Sequence, residues 1–561
     1  MVSIRNPDEE CEQLNELLKD SPYMLEIIDD SMVIYGSDQQ IAAPAAVIPR
    51  DAVEYIHENG SRDAAIYVTA FCDGRYLPPV EYRGNITRFN EVYKSWGVNN
   101  FPIMRPKEHN AVIQVFSILA RSIKSRTVYD FCGGWLDAQT LLIHNLLVRA
   151  DSVSEAESSR KVRLLEYTPM NLDAAMMFLM EHYIPAVNNG LYSTTMLMFL
   201  ILGILYPRIA RHSDMRPSFV LYIYGTTGTR KTSSAISMLN PFKEETCSFE
   251  DSKAAVTEQL RSIPLGCCII DDLKTMTRDA LGIINKVVRV AGDSTTSSKK
   301  MRGGKVVTKD ATCLCVVTAE EKPAALQESS IARLLMLEYD AGTVNLDELD
   351  FLTSHQTEFR SAVIAVLQGI ISKEGYIDQL CSDCRDRRRE LTRKYSDKPI
   401  HGRYIDMISW LCAVYKLIEK TPQNEEITLY PKYEEEIEAL IVKQCREWHK
   451  DPVTIFGTSL FALCGTNELK LISEADFASG KKGDIIDMGS EWFILSGTVF
   501  SKLKSCNTAI NFDEKALRKA LSDKGILAQH NGKNTMEYRK NGHRCSGYRI
   551  RINILKNYLN K

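Results

Sequence analysis

Residues Phe219 to Ser234 read FVLYIYGTTGTRKTSS, and the reading of this stretch decides the fold. Phe219 to Tyr224 is an unbroken apolar and aromatic run of the kind a fully buried parallel strand presents, and from Thr232 onward TSSAISML reads as a helix. A glycine-rich turn ending in Lys231-Thr232 lies between them. This is the layout of a phosphate-binding loop: backbone N–H groups and the helix N-terminus face an anion, a lysine reaches the outer phosphates, and a hydroxyl takes Mg²⁺. Gly225, Thr226, Thr227, Gly228, Thr229, Arg230, Lys231 and Thr232 form the expected nucleotide loop. The residue before the lysine is commonly glycine, and here it is Arg230. Arginine does not take a positive φ cheaply, so the loop is expected either to keep an ordinary backbone conformation there or to store strain.

A second stretch supports the first. Leu265 to Leu273 reads LGCCIIDDL, an apolar strand ending in two carboxylates, about forty residues beyond the lysine. A phosphate-loop NTPase needs an acidic residue at the C-terminal end of a neighbouring strand to hold the Mg²⁺ shell, and a ring-forming ATPase also needs a base to activate water. Asp271 suits the first role and Asp272 the second.

Two further strands follow. Ala311 to Thr318 (ATCLCVVT) ends in Thr318-Ala319-Glu320, and in a parallel sheet such an end lies beside the ligand crevice, so Thr318 is expected to sense the γ-phosphate or position water. Ile331 to Tyr339 carries Arg333 near its start, either as a structural salt-bridge donor or as a finger reaching into an adjacent subunit. Between the Asp271 and Thr318 strands the chain inserts SSKKMRGGKVVTK, Ser297 to Lys309. Gly303-Gly304 marks a tight hairpin turn crowded by Lys299, Lys300, Arg302 and Lys305, a concentration of charge suited to a polyanion.

Length and composition bound the rest. At 561 residues the chain is expected to hold three or four units, and a net charge of −3 gives no global sign of a nucleic-acid partner, which would have to be met by local basic patches. Several of the 15 cysteines (Cys267, Cys268, Cys313, Cys315 and Cys412) sit inside apolar runs, as small buried hydrophobes do. The polar, acidic start MVSIRNPDEECEQL is no secretory signal, so reduced thiols and a cytoplasmic location are expected. The most apolar segment, Met196 to Tyr206, is shorter than the roughly 18 residues of a spanning helix and is closed by Pro207 and Arg208. It reads as a buried core helix, and no membrane partner is expected.

Residues 1–150 read as a separate α/β unit, with strands at Met24 to Tyr35, Ala65 to Cys72 and Thr127 to Cys132, and helices near Thr87 to Trp96 and Ala111 to Ile123. Gly133-Gly134-Trp135 reads as a packed turn in preference to a ligand contact, and the polar run Ala150 to Lys161 as a boundary or a long surface loop. Residues 160–345 hold the ATPase core, and 346–465 a helical region. There Cys381 and Cys384 form a lone CxxC, and Arg385 to Lys394 reads as a solvated helix face. Residues 466–561 end in a helix, Glu514 to Asp523, capped by Asp513 and Gly525, then a strand pair with turns at Asn531-Gly532 and Asn541-Gly542, and a last strand Tyr548 to Leu555. Lys533, Arg539, Lys540, His543, Arg544, Arg549 and Arg551, with Tyr538 and Tyr548 interleaved, suit phosphate contact and base stacking.

The loop GTTGTRKT, the strand CCIIDD, the basic SKKMRGGKVV, the strand end VVTAEE, the arginine of IARLLMLEY and the tail together resemble the replicative helicases of phages, plasmids and mobile islands. The resemblance covers roughly residues 20 to 555. It implies an α/β fold: a P-loop NTPase core with a parallel sheet, related to AAA+ and superfamily III helicases, behind an α/β N-terminal domain and ahead of a helical segment and a C-terminal winged helix. It also implies an ATP- and Mg²⁺-dependent DNA helicase, a homo-oligomeric ring on single-stranded or forked DNA, with the Lys299–Lys305 hairpin projecting into the channel. Two other readings stay open: a nucleotide-switched initiator that loads without unwinding, and a regulatory or defence ATPase acting on a protein.

Overall fold

A computed structural model describes the chain apart from residues 1–5, 84–89, 98, 214, 250, 252, 274–283, 291–296, 301–305, 310–311, 324–327, 398–399, 422–427, 449–451, 507–509, 511, 530–533 and 560–561. The chain forms two compact units, Met1–Leu165 and Glu166–Lys561.

The first unit is richer in antiparallel pairing than its sequence suggested. Met24 to Tyr35 is a hairpin, Tyr23–Ile28 against Ser31–Gly36, reversed at Asp29 and Asp30, which both take positive φ (46° and 57°) as a two-residue hairpin turn requires. A second such turn, at Asp73 and Gly74, joins Phe71–Cys72 to Arg75–Tyr76. The central sheet has five strands, and within it Ile48–Ile56 pairs antiparallel with Arg62–Thr69 and parallel with Ser125–Tyr129. The helix Pro106–Arg121 contributes Val112, Val115, Phe116 and Leu119 to the core. Gly133–Trp135 is a short strand with Trp135 buried. The polar run after Arg149 belongs to this unit and supplies the strands Val153–Glu155 and Glu157–Ser158. Local composition there reflects exposure and not a break in the fold.

In the second unit five strands form an all-parallel sheet. Across it they run Cys247–Ser248, Cys267–Leu273, Leu314–Ala319, Val220–Gly225 and Leu334–Tyr339. The burial of Val220 to Tyr224 and of all six residues Leu314–Ala319 explains their uninterrupted apolar character. One expectation changes here. The Asp271 strand is not adjacent to the loop strand, because Leu314–Ala319 lies between them. Arg333 precedes its strand, which begins at Leu334, and Ser297–Lys300 pairs antiparallel with Val306–Lys309 as the expected hairpin, its turn at 301–305 lying outside the described residues.

The helix Leu191–His212 underlies the sheet and continues through Pro207. By length and composition it could span a membrane, but 89% of its apolar window is buried inside the protein. Burial, not shortness, makes it a core helix. Proline at 207 removes the hydrogen bond to the carbonyl of residue 203, and Gly203, with no Cβ, lets that turn lie directly against Gly266 at the entry to the Asp271 strand.

The region 346–465 is helical as expected, with helices Gln356–Ile371, Gly402–Glu419 and Tyr433–Trp448, and with Tyr376–Lys394, which contains both the CxxC and the charge run. Cys381 and Cys384 are buried, and the charge run is not simply solvated: Arg387 and Lys394 both pair with Glu438, which is buried.

Near the C-terminus Asp513 caps the helix Glu514–Asp523, accepting from the Ala516 N–H at 2.6 Å. The strand Met536–Lys540 turns at Asn541-Gly542 into His543–Arg551, and Ile552–Leu559 is a helix where the strand was expected to continue. The basic residues of this strand pair are largely engaged within the fold: Arg539 and Arg544 with Glu537, Lys540 with Glu474, Arg549 with Glu491. Lys533 and the Asn531-Gly532 turn lie outside the described residues.

A Cβ at Gly203 would stand 2.4 Å from the Gly266 carbonyl oxygen. Gly203→Ala is therefore expected to destabilise the second unit by about 1–3 kcal/mol through overpacking. A urea-unfolding midpoint that does not fall would show that the helix does not seat on the sheet this way.

Candidate functional site

The loop after Val220–Gly225 is shaped by two glycines with different tasks. At Gly225 a Cβ would lie 2.1 Å from the Tyr339 carbonyl oxygen, so only glycine permits this approach to the neighbouring strand. Gly228 stands in open space but has φ 88°, a conformation that favours glycine. Arg230 takes φ 61° and ψ 23° just before the helix Lys231–Leu239, so of the two outcomes expected for it the structure adopts the strained one.

Lys231 is folded back on the loop. Its Nζ donates to the carbonyls of Gly225 (2.7 Å) and Thr226 (2.8 Å), and Thr229 Oγ1 lies at 3.4 Å while itself donating to the Thr226 carbonyl. The residue is 9% exposed. Burial lowers the pKa of its ammonium, and the carboxylates of Glu320, Asp271 and Asp272 oppose that shift.

The carboxylate side is set by a β-bulge. Ile270 pairs with Val317 and Leu273 with Ala319, so Asp271-Asp272 contains one residue more than the facing strand, and Asp272 takes φ 67°. The extra residue lets the two adjacent aspartates serve different directions. Asp271 Oδ1 accepts from Thr232 Oγ1 at 2.7 Å and from Thr318 Oγ1 in a short hydrogen bond. The Asp272 N–H donates to Thr318 Oγ1 at 3.1 Å, and Asp272 lines a cleft of about 250 Å³. Thr227, Gly228, Arg230, Lys231, Thr232, Thr318 and Glu320 line the same cleft.

Glu320 escaped the sequence reading. It accepts from Thr227 Oγ1 at 2.7 Å and ties the tip of the loop to the end of the Thr318 strand. Its signal was present: it is the first carboxylate after a buried strand whose end faces the crevice.

Arg333 is not brought to this group. It sits at the opposite end of its strand from Tyr339, which pairs with Gly225, and six residues of strand span about 20 Å. It is 7% exposed and donates to the Ser329 carbonyl of its own chain in a short hydrogen bond, so it takes no part in its own cleft. Lys299 and Lys300 lie on the first hairpin strand, and Arg302 and Lys305 fall outside the described residues.

The arrangement suits a metal-bound phosphate. Thr232 and Asp271 offer hard oxygen donors of the kind Mg²⁺ takes, and because the Thr232 hydroxyl gives its proton to Asp271, its lone pairs stay available to a cation. A desolvated lysine at a helix N-terminus favours an anion that would restore its charge balance.

No family model matches the sequence, and no curated protein matches it. Among solved structures, the SCCmec type IV Cch helicase, described as active, aligns over 96% of this chain and 99% of its own at a TM-score of 0.52 and 12% identity. The overall fold is that of this helicase structure. A JCV helicase with bound inhibitor (TM-score 0.25, 11% identity, 43% of this chain and 64% of that one) and the NrS-1 C-terminal region (0.27, 10%, 68% and 92%) are also similar, more loosely.

Because φ 61° at a non-glycine residue costs about 1 kcal/mol or more, Arg230→Gly is expected to raise the thermal midpoint of the second unit. An unchanged or lower midpoint would mean that Arg230 is not strained.

Proposed function

We propose that this chain is an ATP hydrolase of the DNA helicase or translocase class, working as a homo-oligomeric ring on single-stranded or forked DNA in the replication of a mobile element or phage. The observation that carries the reading is the meeting of Thr232, Asp271 and Thr318 on one carboxylate oxygen beside a glycine-rich loop and Lys231. The whole-length likeness to a structure described as an active helicase supports it.

On this reading the loop backbone from Gly225 to Thr232 cradles the phosphates, and Lys231 exchanges its loop carbonyls for the β- and γ-phosphate oxygens. Thr232 and Asp271 hold Mg²⁺, which when bound neutralises charge developing on the phosphates. Asp272 orients a water and takes its proton, while Thr318, bonded to both aspartates' stretch of backbone and side chain, keeps base and metal ligand in register. The hairpin Ser297–Lys300 with Val306–Lys309 bears the DNA-gripping charges Lys299, Lys300, Arg302 and Lys305. The helix Glu514–Asp523 and the strand pair after it act as a winged helix. With the strand arginines engaged by Glu537 and Glu491, exposed Lys515 and Lys519 on the helix are the better phosphate contacts.

Steady-state ATP hydrolysis measured with and without single-stranded DNA tests this. Stimulation is expected, whereas a rate that ignores DNA would leave an ATPase acting on a protein partner. Lys231→Ala should lose tight ATP binding, and Asp272→Asn should bind without turnover. Undiminished hydrolysis in both would remove the nucleotide site. Changing Lys300, Arg302 and Lys305 together to alanine should abolish the stimulation and reduce the salt slope of single-strand binding by about 2, near 0.7 per lost phosphate contact. A parental slope would rule out the hairpin as the grip.

A further inference from the structure

Of the charged groups lining the cleft, Arg230 is the one the fold does not use. Lys231 is held by loop oxygens, and Glu320 is held by Thr227. The Arg230 side chain lines the same cleft and is exposed, yet it makes no hydrogen bond, ion pair or ring contact with any described residue, although Asp272 and Glu320 share the cavity with it. Its backbone meanwhile holds φ 61°, which glycine would adopt without strain. Among the described residues no contact offsets that strain, so what arginine contributes here is directed at what enters the cleft. The arginine expected to serve from a neighbouring subunit, Arg333, is buried and bonded to its own chain.

We propose that Arg230 supplies in cis the second phosphate-facing cation of this site, completing within one chain the charge that other ring ATPases draw from a neighbour. This rests on the nucleotide reading above and assigns the site's preference for a triphosphate over a diphosphate. In the hydrolysis step, the water oxygen bonds to the γ-phosphorus as the bond from that phosphorus to the bridging β-phosphate oxygen breaks, and the water proton passes to Asp272. Arg230 transfers no proton. Its planar guanidinium pairs with the outer phosphoryl oxygens as their charge redistributes, a geometry that lysine matches only as a point charge.

The test compares the full-length chain with Arg230→Gly, Arg230→Asn and Arg230→Lys. Glycine and asparagine both accept positive φ, so they remove the charge without adding strain, and their thermal midpoints, equal to or above the parent's, verify folding. Both are expected to bind a fluorescent ADP within about threefold of the parent yet lose kcat by at least about 100-fold, toward the 10³-fold contribution of a phosphate-facing arginine. Arg230→Lys should recover part of the loss. Mixing Arg230→Gly with Lys231→Ala chains should restore no activity, because each site needs both residues from one chain. Parental kcat in the glycine and asparagine variants overturns the assignment, and rescue in the mixture overturns its cis character. If Lys231→Ala itself binds and hydrolyses ATP like the parent, the nucleotide reading falls and takes this inference with it. If Lys231→Ala fails while the Arg230 variants do not, only the role of Arg230 falls.

Discussion

A single carboxylate oxygen, Oδ1 of Asp271, accepts hydrogen bonds from two threonines that reach it from different elements, one on the helix after the loop and one at the end of the adjacent strand. Charge-assisted hydrogen bonds of this kind contribute about 1.5–3 kcal/mol each where water is excluded, and more is lost when one partner is left unmatched. The loop, the bulge and the strand order all bear on this point. If the Leu314–Ala319 strand did not lie between the Asp271 strand and the loop strand, Thr318 could not stand between both aspartates and the cleft.

The charge balance of the cleft follows from the same geometry. Three carboxylates, Asp271, Asp272 and Glu320, surround one buried ammonium whose pKa burial lowers. Two of the three are already engaged by neutral hydroxyls, Asp271 by Thr232 and Thr318 and Glu320 by Thr227, so the lysine is not quenched by direct pairing with them. It rests instead on peptide oxygens, which hold it in place without a direct ion pair, the carboxylates acting on it at longer range. Such a site is preorganised for an anion, since little must be undone when one arrives.

How far this was legible in the sequence depended on range. Continuous apolar runs announced the buried parallel strands, and the loop's residue types announced its position, because both are local consequences of burial and of backbone freedom. The order of strands is not local, and Glu320 gained its place only when the Thr318 strand was set beside the loop. At Pro207 the small residue at 203 lets Leu191–His212 continue, a contact that lies outside any local pattern. The basic residues near the C-terminus looked available until Glu537, Glu474 and Glu491 were brought to them across strands. Arg333 stood at the start of its strand, the end away from the crevice, and its burial and its bond to the Ser329 carbonyl are what the sequence did not show. At Arg230 the departure from pattern was visible, and its backbone conformation was not.

The Thr318 strand also ties the site to the middle of the sheet. Val306–Lys309, one side of the hairpin, is followed after five residues by Leu314, a reach of at most about 17 Å of chain. From Leu314 the strand is fully buried and hydrogen-bonded on both sides, by the Asp271 strand and by the loop strand. That strand cannot bend freely, and it leads into Thr318 and Glu320, one bonded to Asp271 and the other to Thr227 of the loop. Packed interiors move between discrete arrangements and do not deform continuously, so a shift of this strand by a fraction of an ångström changes both contacts together. Conversely, a phosphate that draws Thr227 or Thr232 away from its carboxylate partner loosens the same strand end. The strand thus holds Asp271, Asp272 and the loop together at one end of the sheet.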